Sequence, residues 1–243
     1  MKSIIDRFSQ NKYKILMVAL LGMATVFAVV VVEVHQRYSA TNDYPSLLRN
    51  LFLAWIPLVF AVLAYVTSWS RWLLFLVVPG TAFVWLIFFP NAPYMLTEFQ
   101  HLRLNQPTAP LWLDIIMLIW CAWIGLLLGI VSLHLMQEVV AKAFHPAIGW
   151  LFALAVTVMG SAGIYLGRYL RWNSWDILQD PLPIARDVWG WFRNPTSNLR
   201  AYGFTILYTL LFLFVYLAFH FFGKMLQERS PRKATEGEQV TAA

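Results

Sequence analysis

Cysteine is almost missing from this chain. The single one, Cys121, lies inside an apolar run, so no intrachain disulfide can form and the thiol reads as a packed small side chain. Charge is scarce as well: 12% of the 243 residues are charged, against about 25% in ordinary soluble domains, while 60% are hydrophobic and the mean hydropathy is +0.61. That deficit excludes a soluble single-domain enzyme. Also absent are a Gly-rich phosphate loop, a CxxC pair, an HExxH motif, an internal repeat and a nucleic-acid module. Nucleotide-binding, kinase-like and zinc-protease readings therefore have no footing. The excess of 18 Lys and Arg over 12 Asp and Glu flanks apolar spans, and so belongs to anionic headgroups and topology rather than to nucleic acid.

What is present is apolar length. Runs at Ile15–Val32, Leu51–Val66, Trp72–Phe89, Leu111–Met136, Ile148–Leu166 and Tyr202–Phe222 each approach the roughly 20 residues that cross a bilayer. The expected fold is all-α: a polytopic transmembrane helix bundle of about six spans, with short interfacial helices on one face. The expected organisation is a basic cytoplasmic arm over 1–14, a membrane domain over 15–222 and a polar, disordered tail over 223–243, in a multi-pass protein of the cell membrane. The first run is read as a retained helix rather than a signal peptide, since it is long and no small-x-small site follows it. Pro57 and Pro79 should kink the second and third spans. Trp55, Trp69, Trp72, Trp112, Trp150 and Trp172 lie near span ends, as an interfacial belt requires. With both termini inside, ten of the 18 Lys and Arg fall on the cytoplasmic side and eight opposite, which favours that orientation by a small margin.

Two loops carry more polarity than their place between apolar spans calls for. In the first, Asn91, Tyr94, Glu98 and His101 recur at helical spacing along one stripe. Glu98 and His101 form an E-x-x-H pair, a spacing that can ligate metal from one helix face. Only one such pair exists, so a metal centre is left undefined, as is any cofactor. The second loop, Gly167–Asp176, sets Arg168 and Arg171 beside Trp172, Asn173, Trp175 and Asp176. The arginines suit an anionic group, and the tryptophans suit either ring stacking or interface anchoring. Two spans separate the loops, so both emerge on one side. Asp114 enters the fourth span at that same end and needs a partner, for which Arg168, Arg171 and His101 are candidates. Glu98, His101, Asp114 and Asp176 are the candidate catalytic groups, and Asn91, Tyr94, Arg168, Arg171, Trp172, Asn173 and Trp175 the candidate ligand contacts. Downstream, Ile184, Val188, Trp191 and Phe192 mark an amphipathic surface helix on the same side.

Three motifs in fixed order, Phe88–Leu102, Trp112–Gly129 and Gly167–Asp176, resemble bacterial integral-membrane proteins catalogued as domain of unknown function 1361, over roughly Leu48 to Phe221. In such proteins an Asp often stands where this chain has Glu98. The resemblance implies a membrane location and no activity.

Three functions remain open on these grounds. The leading one is a non-catalytic scaffold or partner of an envelope protein. The second is a membrane-embedded enzyme acting on a lipid-linked or envelope substrate at the non-cytoplasmic face, with Arg168 and Arg171 holding an anionic lipid or lipid-linked ligand. The third is a small-solute transporter, against which the span centres hold almost no ionisable residue.

Overall fold

A computed structural model describes residues 4–39, 44–102 and 109–241, with side chains for 11–39, 44–70, 72–102 and 109–228. Lys2, Arg103 and Pro107 lie outside the described residues, as do the side chains of Arg7, Arg71, Arg229, Arg232 and Lys233. In chain order the elements are α1 (Ile4–Ser39), α2 (Leu47–Thr67), α3 (Arg71–Leu76), α4 (Val78–Phe88), α5 (Asn91–Tyr94), a 3-10 turn over Met95–His101, α6 (Leu111–Ala143), α7 (Pro146–Tyr169), α8 (Asp176–Gln179), α9 (Pro181–Arg193), a 3-10 turn over Pro195–Asn198 and α10 (Leu199–Thr241). Among the described residues five stretches are long and apolar enough to cross a membrane: Asn11–Ser39, Leu47–Thr67, Leu111–Ala143, Pro146–Tyr169 and Pro195–Glu228.

The third expected span is where the structure departs from a simple six-helix reading. Its residues form two short helices, α3 and α4, with the break at Val77. Pro79 is the reason: it has no N–H to donate and clashes with the preceding turn, so it is tolerated in the first turn of a new helix and not inside an old one. Pro90 and Pro93 then interrupt the chain again, leaving one turn of α-helix followed by a 3-10 stretch. Pro57, by contrast, sits inside α2 without ending it.

This broken segment runs along α7. The Trp85 ring stacks on Phe152 at 5.8 Å, Phe89 lies against Gly160, Pro90 against Gly163 and Tyr94 against Gly167. On its other side Ala92 and Met95 press on Gly125 of α6. A side-chain atom at Gly125 would stand 2.5 Å from the Ala92 carbonyl oxygen, so the segment reaches the α6 backbone only because that position carries no Cβ. Prolines that break the helix and glycines that admit a close approach thus serve one packing solution.

The core centres on α6, whose Met117, Leu118, Leu128, Leu133 and Met136 are buried against α2, α7 and α1. Cys121 lies there too, as a packed small side chain. At the end where α1 begins, a separate polar group links Lys14 to Glu138 and to the Tyr65 hydroxyl (3.0 Å), and Lys142 donates to the Ser68 carbonyl (2.9 Å). Beyond Phe222, where a disordered tail is expected, α10 continues as helix to Thr241. Lys224, Met225, Leu226, Gln227 and Glu228 are good helix formers, and they extend a helix already nucleated by the apolar run.

With five continuous helices and one broken one of comparable reach, the termini are expected on the same side. Single cysteines placed at Ser3 and Ala243 in a Cys121→Ala background should label together with a membrane-impermeant maleimide, either both in intact cells or both only after lysis. Labelling of one terminus alone in intact cells overturns the even count.

Candidate functional site

The 3-10 geometry over Met95–His101 brings residues three apart onto one edge, and so aligns Glu98 with His101. Across from them stands Arg168 in the last turn of α7, where a cation suits the negative end of the helix dipole. Its Nη2 donates to Glu98 Oε1 (3.0 Å), its Nη1 to His101 Nε2 (2.8 Å) and its Nε to Thr97 Oγ1 (2.9 Å). The guanidinium also lies over the Tyr94 ring, 4.6 Å from its centre. Because arginine only donates, His101 Nε2 is the acceptor and the ring proton sits on Nδ1. Asn50 of α2 donates to the same Glu98 oxygen (2.9 Å). Glu98 is 1% exposed and the Arg168 side chain 10% exposed, so the two charges are carried into the protein as a pair.

Asp114 does not join this group through Arg168, Arg171 or His101. Its partner is His35, near the end of α1, with His35 Nε2 2.5 Å from Asp114 Oδ1, both side chains buried and the Tyr44 ring edge-on to the imidazole. Asp176 serves its own loop, accepting from the Asn173 backbone (2.6 Å) and side-chain amide (3.2 Å). Arg171 is exposed, with a left-handed backbone (φ 63°) that ends α7, and makes no hydrogen bond or ion pair among the described residues. Its neighbour Trp172 donates to Asp187 of α9 (2.8 Å), which fastens the loop to the amphipathic helix. On that helix Ile184 and Trp191 are the buried positions, whereas Phe192 is exposed. Asn91 ties the two polar loops together, donating to the Ser174 hydroxyl at 2.7 Å.

These contacts frame a cleft of about 170 Å³ at this end of the bundle. One wall is the start of α2, with Ser46, Arg49 and Asn50; another is the broken segment, with Asn91 and Tyr94; the third is the loop with Trp172, Asn173, Ser174 and Trp175. Among the described residues no Asp or Glu lines it, and Arg49 is the one cationic side chain in its wall. Arg49 is exposed and makes no hydrogen bond or ion pair with the protein among the described residues. Sequence reasoning passed over Arg49, Asn50, Thr97 and His35. His35 carried a signal, an ionisable side chain at the end of an apolar run with an unpaired Asp in another span. Arg49 carried one as well, a cation at a helix start, where the dipole disfavours it. Among the described residues no three His, Cys, Asp or Glu stand together as metal ligands, and the E-x-x-H pair converges on a guanidinium instead.

An all-helical membrane protein with a broken segment packed between helices, a buried charge pair and an acid-free polar cleft at one end is the class that this geometry defines. The chain belongs to the family described as Protein of unknown function (DUF1361), whose model matches residues 49–215. No curated protein and no solved structure matches it.

Proposed function

We propose that the protein is a ligand-binding membrane protein whose cleft at the Arg49 end of the bundle receives a small anionic group. The observation that carries this reading is the imbalance of charge in the cleft wall: among the described residues it holds one guanidinium without a hydrogen-bond or ion-pair partner, several neutral donors, and no carboxylate. Glu98, which accepts from Asn50 of the cleft wall, is already paired with Arg168, so it does not cancel Arg49. The start of α2 adds to the same field. It has no acidic residue in its first turn, and Ser46 makes no capping bond there. A cation at that place is unfavourable unless an anion lies between it and the helix amides. Asn91, Asn173 and the hydroxyls of Ser46 and Tyr94 supply the neutral polar contacts that fix orientation. On this reading Arg168, Glu98 and His101 hold the cleft wall in place, and the ligand touches Arg49.

The test is calorimetric titration of the purified protein, in neutral detergent, with inorganic phosphate. Saturable binding is expected, weakening as salt rises and falling about ten- to a hundredfold in Arg49→Gln, because a hydrogen bond to a charged group contributes roughly 1.5–3 kcal/mol. Arg49 is exposed and unpaired, so the variant should remain folded. Absence of saturable binding, or binding unchanged in Arg49→Gln, overturns the proposal.

A further inference from the structure

The cleft is too small to be a whole binding site. At about 170 Å³ it falls below the roughly 300 Å³ at which pockets for drug-sized molecules begin, so it admits a headgroup and little more. What adjoins it is of the opposite character. A trough of about 340 Å³ runs along α9, and its walls are Pro181, Ala185, Val188, Trp189 and Phe192. The two spaces adjoin, since Ile177 and Ile184 line both. Their relative position is held by the Trp172–Asp187 hydrogen bond, which joins the cleft loop to α9, and by the Tyr202 hydroxyl, which donates to the Trp191 carbonyl and joins α9 to α10. A polar, cationic recess therefore lies beside an apolar trough, with two isoleucines in the walls of both.

We infer that the ligand is an amphiphile: a lipid phosphate whose anionic head sits at Arg49 and whose hydrocarbon chain lies in the α9 trough. This rests on the binding reading above and deepens it. Each half matches what the corresponding space offers. Charge and donors with no carboxylate among the described lining residues suit a phosphate, and Trp189 and Phe192, both exposed beside Val188, suit a chain. A free phosphate uses only the first half. A neutral lipid uses only the second.

The experiment separates those cases. The protein in neutral detergent is incubated with dioleoyl phosphatidate or with dioleoylglycerol, which differ only in the phosphate, and retained lipid is counted by native mass spectrometry. One phosphatidate per protein is expected, retained at least tenfold over dioleoylglycerol. Retention should fall at least tenfold in Arg49→Gln and also in Ala185→Trp, which fills the trough from an exposed position. Both variants are checked for monodisperse elution, and Val188→Phe serves as a second trough-filling change should Ala185→Trp fail that check. If inorganic phosphate binds in an Arg49-dependent way while phosphatidate is retained no better than dioleoylglycerol, the lipid inference is overturned and the anion reading stands. If phosphatidate is retained equally by wild type, Arg49→Gln and the trough variants, the lipid is adventitious and the inference fails. If neither phosphate nor phosphatidate depends on Arg49, both readings fail together.

Discussion

Replacing Arg168 with alanine is expected to lower the melting temperature of the detergent-solubilised protein by on the order of 10 °C and to reduce its accumulation in the membrane. The substitution strands a buried charge. Glu98 is 1% exposed, and the guanidinium is its ion-pair partner. Removing one member of a buried pair costs roughly 3–5 kcal/mol, because the survivor keeps its desolvation penalty and loses the compensating attraction. For a chain of this size each kcal/mol moves the midpoint by about 2–4 °C. The same change also frees Thr97, His101 and the Tyr94 ring from their common contact, so the cleft wall loosens with the pair. Removing both charges together should be milder, and Glu98→Gln with Arg168→Met is expected to recover more than half of the loss. Should Arg168→Ala melt and accumulate like wild type, the buried pair is no structural anchor, and Arg168 must be reconsidered as a ligand contact.

Gly125→Ala is expected to destabilise by about 3 kcal/mol, at or beyond the upper end of ordinary overpacking. The added methyl would meet the Ala92 carbonyl oxygen and the Met95 Cβ, each at 2.5 Å, closer than real Cβ contacts come. One of these atoms is backbone, so no side-chain rotation relieves the clash, and the broken segment must move off α6. Gly203→Ala is the control. It lies in α10 with open space where the Cβ would go, and there alanine should stabilise by roughly 0.5–1 kcal/mol through helix propensity alone. Thermal melts of the two variants beside wild type decide the matter. Equal behaviour of Gly125→Ala and Gly203→Ala removes the claim that the segment is wedged between α6 and α7.

Hydrophobic length alone made the membrane assignment and the all-helical fold legible, because a bilayer leaves few ways to satisfy backbone hydrogen bonds over runs this apolar. The meeting of the two polar loops was legible for a similar reason. Two spans between Asn91 and Ser174 return the chain to the same end, whatever the packing in between. Both conclusions follow from local composition and parity, which the order of residues states outright.

Partner choice was decided only by tertiary packing. Asp114 advertised its need for a counterpart, but three candidates were equally reasonable in the linear chain, and the one chosen, His35, stands 79 residues away on α1. Asn50 and Arg49 likewise enter the site from α2, whose sequence shows an ordinary apolar span. Pro79 reads in the linear chain as a kink in the third span. There the chain breaks into two helices, and beyond the break Gly125 and Gly163 let the Ala92 carbonyl and the Pro90 ring come close to α6 and α7, an approach between distant segments. Burial periodicity and chain parity are properties of a segment, and so they survive without coordinates. A charge pair or a close backbone approach is a property of two distant segments, and its energy falls off within a few ångströms, which is why only the folded chain settles it.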